Sequence, residues 1–483
     1  MGLFRRNQAQ SAPPIDGELT TPPHQSTEKR NRQSVLPTHN QNGNRVEKKI
    51  QPAGESGRRG ISPLLFLRIC FRSSCKASLA LNVLWPMVPP AIAVYFVYDQ
   101  SEEPRRHLLI FILNYIAMVP SANLLGFAAQ ELARKIPKVL GVLMETAFGS
   151  VVEIILFAVL ITRSGEGSHN LVPVIQAAIL GSILANLLLC LGLCFFAGGM
   201  TRHEQSFDEA VSEVGSGLLL VAGLGLLVPS AFWAASFGNV NTPIEILRND
   251  VLKISRVTAI LLLVAFGFYL WFNIRSHHGI YDAILERDEH KDEDREKDLA
   301  KDKLTLTECV IALVIALTCV SLHAVSLVYQ IEWIVSDYGV NDNFMGLILV
   351  PIVEKAAEHL TAIDEAWDNQ MNFALAHILG STIQTALFNA PLVVIIGWGL
   401  HKSMDLQFEV FFIAILIVSI IVVGNFLRDG KSNYLEGALC VIVYIIIAVS
   451  TFYYHSTNPE EGGPESATAE AAGGGGGHKM MFI

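Results

Sequence analysis

Between about residue 78 and residue 455 the chain alternates long apolar runs with short polar breaks. The runs match the roughly 20 apolar residues that carry an α-helix across a bilayer. Eleven are predicted, near 79–98, 107–128, 139–162, 171–198, 214–235, 253–273, 305–330, 344–366, 372–398, 408–427 and 434–454. The third, fourth, eighth and ninth are interrupted by Gly, polar or charged residues. Beyond the runs the character changes. Residues 1–60 are polar, rich in Gln, Asn, Pro and Arg, and lack the apolar stretch of a secretory signal; a disordered tail is expected there. Residues 456–483 turn acidic and then Gly-rich, and a second disordered tail is expected.

Composition agrees with an all-α polytopic membrane protein. Hydrophobic residues make up 51% of the chain and charged residues 17%, against roughly a quarter charged in soluble domains. The net charge of −10 sits in the loops, so it does not argue for an acidic soluble domain. The seven cysteines form no CxxC pair. Cys190, Cys194, Cys309, Cys319 and Cys440 fall in apolar runs and read as reduced thiols packing as small hydrophobes. No HExxH or GxSxG occurs, so no enzyme is expected, and nothing points to nucleic acid.

Basic residues set an orientation. Arg58, Arg59, Arg68, Arg72 and Lys76 precede the first run, Arg134, Lys135 and Lys138 follow the second, and Arg428 and Lys431 follow the tenth. All fall on one face if the N-terminus is cytosolic, with Arg105 and Arg106 in weak disagreement. An odd number of spans then leaves the C-terminus on the lumenal face. Residues 276–304 form a charged linker on the cytosolic side, and 282–304 mix ten acids with six bases. The segment reads either as a solvated helical connection or as a weak cation collector. It lacks the ligand spacing of an EF-hand loop.

The linker divides two related parts: 78–275, a leading helix plus a first repeat, and 305–455, a second repeat. GVLMETAFGSVVE, Gly141 to Glu153, matches GLILVPIVEKAAE, Gly346 to Glu358. Each starts at Gly and reaches Glu twelve residues later. Each is followed by an Ile-Leu-Gly-Ser core, in QAAILGSILANLLL from Gln176 and LAHILGSTIQTALF from Leu375. Five spans per repeat is an odd number, so the second repeat crosses the membrane in the opposite sense. Such inverted repeats place a transport site at mid-membrane between them.

Glu153 and Glu358 lie at similar depths of their helices, so inversion brings both carboxylates toward the midplane. A charged group there is costly unless it pairs or faces water. Two converging carboxylates are tolerated when a cation sits between them or one carries a proton. A hard cation also wants neutral oxygens. Ser182, Ser381, Gln176 and Gln384 offer hydroxyl and amide groups. On α-helical spacing Glu354, Glu358, Thr361 and Glu365 form one stripe that Asp368 continues, and Lys355 and His359 form the adjacent one. The acidic stripe reads as an entry path, or at Glu365 and Asp368 as ordinary solvated helix-end charge. Glu354 and Lys355 read as a mutual ion pair or as part of the site.

At these residues the chain resembles the cation/proton exchanger (CAX) family, the vacuolar Ca²⁺/H⁺ exchangers of fungi and plants. The family's two hallmark segments, roughly GNAVE and GNAAEH, stand here as GSVVE (149–153) and EKAAEH (354–359), followed by GSILAN (181–186) and GSTIQ (380–384). LLGFAAQELA (124–133), ISRVTAILLL (254–263) and Ser276-His277 add to the likeness, which spans about 78–455. The resemblance implies an eleven-span antiporter of the vacuolar membrane. Glu153 and Glu358 would bind the cation and exchange protons, with Ser150, Gln176, Ser182, Ser381, Gln384 and His359 lining the pathway. The metal ion would be cargo, Ca²⁺ in the first instance, with no resident cofactor; partners would be the cation, protons and the bilayer. Three departures stand out: Ser150 and Lys355 replace the family's asparagines, and Glu354 replaces a glycine. Glu145 is a further acid where the family usually has none. Lysine offers donors and a positive charge but no acceptor. Glu354 and Lys355 are therefore candidate selectivity residues, and the alternative is Na⁺/H⁺ or K⁺/H⁺ exchange. A second alternative has Lys355 turned toward the cytosol, leaving the Ca²⁺ site intact.

Overall fold

A computed structural model describes residues 54, 56–58, 60–72, 76–98, 103–164, 170–237, 243–291 and 301–454. Residues 1–53 and 456–483 of the two expected tails lie outside that set, as do residues 292–300 of the linker. Among the described residues ten helices are long and apolar enough to cross a membrane: α1 (Ser78–Tyr98), α2 (Pro104–Ala133), α3 (Val139–Arg163), α4 (Val172–Thr201), α5 (Glu209–Ser236), α6 (Ile244–Ser276), α7 (Leu306–Tyr338), α9 (Met371–Gly399), α10 (Val410–Asp429) and α11 (Tyr434–Phe452). Between α7 and α9 runs α8, over 345–367, a π-helical turn at Met345–Leu349 leading into the α-helix Val350–Trp367. Its four acids and one lysine set it apart from the apolar ten, yet it occupies the place of the eighth run. The helices correspond one to one with the eleven apolar runs.

Local signals fix the ends. Thr305 and Glu308 form a reciprocal capping box at the start of α7, and Gly339 closes that helix in the left-handed conformation, φ 65°. Proline stands in the first turn of α2 and α4, where it has no helical hydrogen bond to lose.

The two repeats, α2–α6 and α7–α11, pack with an approximate two-fold relation. The equivalent helices α2 and α7 lie along one another, as do α5 and α10. α4 packs on α11, and its equivalent α9 packs on α6. Polar contacts pin the α2–α7 pair: His107 Nδ1 is 2.6 Å from Gln330 Oε1 and His323 Nδ1 is 2.8 Å from Asn114 Oδ1. Burial separates inner from outer helices. In their most apolar windows 83% of α4 and 78% of α9 is buried, against 17% for α1 and α6. Helices apolar all round belong either inside a bundle or in lipid. α4 and α9 take the first place. α6 and α11 show Leu261, Phe268, Ile442 and Ile446 to the outside, as a bilayer requires.

Two expectations shift at the charged end of the bundle. The N-terminal tail was expected to run to residue 60, but its last residues are anchored. Arg58 forks onto Glu308 at 3.0 and 2.8 Å, and Lys135 Nζ donates to the Gly54 and Leu304 carbonyls at 2.6 and 2.8 Å. The linker also begins as packed structure. Helix His278–Glu289 buries Asp288, which accepts from Asn372 N at 2.7 Å and Nδ2 at 3.0 Å. A lone carboxylate in a mixed-charge segment gave no sign of that docking. A two-residue antiparallel ribbon, Gln205–Ser206 with Lys431–Ser432, ties the α4–α5 loop to the α10–α11 loop at this end.

Candidate cation site

The Gly-Ser segments do not only add hydroxyls; they let backbones touch. A methyl group on Gly181 would strike the Leu347 carbonyl where α4 crosses the π-helical turn of α8. One on Gly149 would strike Glu358 Oε1. The first position therefore excludes any larger residue, and the second brings α3 against the acid of α8.

Glu153 and Glu358 meet through Lys355. Its Nζ lies 3.4 Å from Glu153 Oε2, 3.5 Å from Glu358 Oε2 and 3.9 Å from Glu354 Oε1, and it donates to Ser381 Oγ at 3.4 Å. Lys355 is wholly buried, so it does not turn out toward water, as one reading of the sequence allowed. Nor is it paired mainly with its neighbour: both motif glutamates are nearer than Glu354.

α9 supplies the neutral groups. Thr385 Oγ1 and Asn389 Nδ2 donate to Glu153 Oε2 at 2.9 and 2.8 Å, and Ser381 Oγ donates to Glu358 Oε2 at 3.0 Å. From α4, Asn186 Nδ2 donates to Ser381 Oγ at 3.3 Å. Its Oδ1 lies 3.0 Å from His359 Nε2, which places the imidazole proton on that nitrogen. Both α4 and α9 loosen into π-helical turns here, Ala185–Cys190 and Thr385–Asn389. These occupy aligned positions after the two Gly-Ser pairs. A π turn re-aims side chains without ending a helix, and such turns collect at functional sites.

Of the remaining sequence candidates, Ser150 is fully buried one turn before Glu153. Ser182 Oγ lies 3.5 Å from Thr385 Oγ1, at the limit of a hydrogen bond. Gln384 is buried on α9 but bonds to neither glutamate. Gln176 is elsewhere: its Nε2 donates to Asp405 Oδ1 at 2.8 Å, at the end of the bundle away from the linker. The distance in sequence from Gln176 to Gly181 places it more than a helical turn from the centre. Sequence reasoning missed Thr385, Asn389 and Asp405. Thr385 and Asn389, one turn apart within an apolar run, were the available signal.

The site is open on one side. A cavity holding about 360 Å³ of free space, its mouth included, runs from Glu358, His359 and Ser381 past Thr361 to Glu145 and His377, toward the linker end. At its outer part His377 Nδ1 is 2.8 Å from Glu365 Oε2, and Nε2 is 3.3 Å from Glu145 Oε2 without hydrogen-bond alignment. At the other end the α9–α10 loop tucks Met404, Leu406 and Phe408 into the core. Burial raises the Asp405 carboxyl from its ordinary range to about 6, against the opposing pull of the Gln407 N–H, Arg248 and Gln176.

Three carboxylates and an ammonium thus meet at mid-bundle, ringed by small polar groups and bordered by a cavity. Comparison with known proteins gives the family. The sodium/calcium exchanger protein family matches residues 106–275 and 309–453. Vacuolar cation/proton exchanger 5 of Arabidopsis thaliana is 35% identical over 372 residues, covering 76% of this chain and 79% of that one. The vacuolar calcium ion transporter of Schizosaccharomyces pombe is 34% identical over 337 residues, covering 70% and 77%. Among solved structures, native YfkE superimposes with TM-score 0.60 at 25% identity, over 77% of this chain and all of that one. The H⁺/Ca²⁺ exchanger CAX shares the fold, with TM-score 0.57 at 12% identity over 79% of this chain and 89% of that one. The chain belongs to the sodium/calcium exchanger protein family, on its vacuolar cation/proton exchanger branch.

Proposed function

We propose that the chain is a proton-coupled cation antiporter that moves Ca²⁺ from the cytosol into the vacuole in exchange for protons. One observation carries the reading. Glu153 and Glu358, contributed by helices of opposite repeats, converge on a single positive charge, at 3.4 and 3.5 Å. Carboxylates placed so can be neutralised by a metal cation or by protons, and exchange is the alternation between the two. Relatives named for cation/proton exchange and for calcium transport support the class of cargo. The basic flanks support a cytosolic N-terminus, with the linker and the cavity on that side. The cation then enters past His377 and Thr361 to Glu358, and rocking of the repeats exposes Glu153 toward the Asp405 end, where the cation leaves and lumenal protons return.

One observation favours a second reading, exchange of Na⁺ or K⁺. The charge lying between the two glutamates in this structure is itself monovalent. Proton-gradient-driven uptake of ⁴⁵Ca²⁺ into vacuolar vesicles, with Na⁺ and K⁺ as competitors, separates the two. Uptake that proceeds at the wild-type rate in Glu153→Gln or Glu358→Gln overturns both.

A further inference from the structure

Lys355 takes the position that Ser150 holds in the first repeat. Its ammonium lies in the gap between Glu153 and Glu358 where, on the antiporter reading, the cargo belongs. Two cations cannot occupy one gap of that size, because like charges a few ångströms apart in a buried site repel strongly. Loading therefore requires Lys355 to yield. The structure also supplies its destination. Glu354 Oε1 is buried, has no hydrogen-bond partner among the described residues, and stands 3.9 Å from Nζ. Glu153 Oε1, Ser150 Oγ and Asn389 Oδ1 are likewise buried without hydrogen-bond partners there. Buried oxygens without partners are uncommon and mark places where a further ligand fits.

We propose that Lys355 is a tethered competitor of the cargo: its ammonium bridges Glu153 and Glu358 until a cation enters, then shifts onto Glu354. The idea rests on the antiporter reading and adds to it a residue pair that sets affinity. The charge arithmetic is consistent. Glu354 restores the negative charge that Lys355 offsets, so the cluster keeps two net negative charges, as two glutamates alone would. The shift is short, from 3.9 Å to the ~2.8 Å of a charge-assisted hydrogen bond. A compact ammonium on a flexible four-carbon stem suits such a movement, whereas a rigid guanidinium fork would not. Apparent cation affinity then equals the intrinsic affinity reduced by the fraction of time the gap is clear.

Titration of the purified full-length protein with Ca²⁺ at constant pH tests this. Lys355→Met removes the competitor and tightens binding, by roughly ten- to hundredfold if the gap is clear only about 1–10% of the time. Glu354→Gln removes the destination and weakens binding by a similar factor. A purely structural role for the pair predicts weaker binding in both variants, so the opposite signs are the signature. Should Lys355→Met fail to fold, the double variant Glu354→Gln/Lys355→Met keeps the net charge and binds Ca²⁺ more tightly than Glu354→Gln alone. Binding in Glu354→Gln equal to wild type, or no tightening in the lysine variants, overturns the competitor while leaving the antiporter reading standing, provided wild-type vesicles still release protons when cation is added. Wild-type protein that neither binds Ca²⁺, Na⁺ or K⁺ nor releases protons overturns both.

Discussion

Glu153 and Glu358 hold the same place in aligned repeats, yet their surroundings differ. The Glu153 side chain is fully buried, with Thr385 and Asn389 both bonded to one of its oxygens. The Glu358 side chain is 25% exposed, accepts from Ser381 and faces the cavity. The flanking residues differ too: Gly149-Ser150 before the first acid, Glu354-Lys355 before the second. Aligned positions in inverted repeats can thus place one acid beside a cavity and the other wholly within protein. On the antiporter reading proposed above, each acid would serve one face, and exchange of their environments would be the transport step.

The largest expected effect removes either acid. Glu153→Gln and Glu358→Gln both reduce proton-driven cation uptake to background, since each removes one of the two carboxylates that flank the gap at Lys355. Equal residual activity in both, rather than a normal rate in one, is what a shared site requires. The next test separates the two environments. In a cysteine-free background, Thr361→Cys in the cavity reacts with a membrane-impermeant maleimide added from the linker side. Ser150→Cys, fully buried beside Glu153, reacts at least roughly a hundredfold more slowly, as expected when only transient opening exposes a site. Similar rates at both positions would mean that the asymmetry between the acids is not an asymmetry of access.

A smaller contrast lies in the neutral groups. Asn389→Ala removes a 2.8 Å bond to the buried Glu153. A hydrogen bond to a charged group contributes about 1.5–3 kcal/mol, so the cation KM shifts by roughly tenfold or more. Ser182→Ala loses only the 3.5 Å contact with Thr385, and its KM stays within about twofold. Uptake kinetics of the two variants side by side decide whether α9 or the α4 hydroxyl completes the Glu153 shell.

The scaffold was legible because lipid imposes a simple rule on sequence. Long apolar runs, an odd number per repeat and two matching Gly-to-Glu segments were enough to place eleven helices and to bring Glu153 toward Glu358. The partners were harder to read. Thr385 and Asn389 stand one turn apart at the two ends of a π-helical turn of α9, and that spacing puts them on one face without naming the acid they meet. Gln176 stands apart from the glutamates because its side chain reaches the Asp405 loop, a tertiary contact 229 residues away in sequence. Adjacency in sequence suggests Lys355 and Glu354 as a mutual ion pair. The inverted packing instead hands it to Glu153 of the other repeat, a partner that adjacency could not suggest.

The least expected effect concerns the closed end, where Asp405 is the counterpart of the acids in the open cavity. Its carboxyl is raised to about 6 by burial, although the Gln407 N–H, Arg248 and Gln176 pull the other way. An unfolded aspartate titrates near 3.8. Between these values the folded protein holds a proton that the unfolded chain has lost. Stability contributed by the protonated carboxyl is thus present at low pH and declines as pH rises through the window, then levels off above it. Asp405→Asn removes the slope. The variant should match wild type near about pH 4 and exceed it by roughly 1–2 kcal/mol near about pH 7.5, a figure already discounted for the partial exposure of the side chain. Thermal melting of purified protein at the two pH values reads this directly. A variant that is less stable at the higher pH would show that the bonds from Gln176 and Gln407 outweigh burial. Asp405 would then stand ionised, and the closed end would carry a fixed charge rather than a neutral plug.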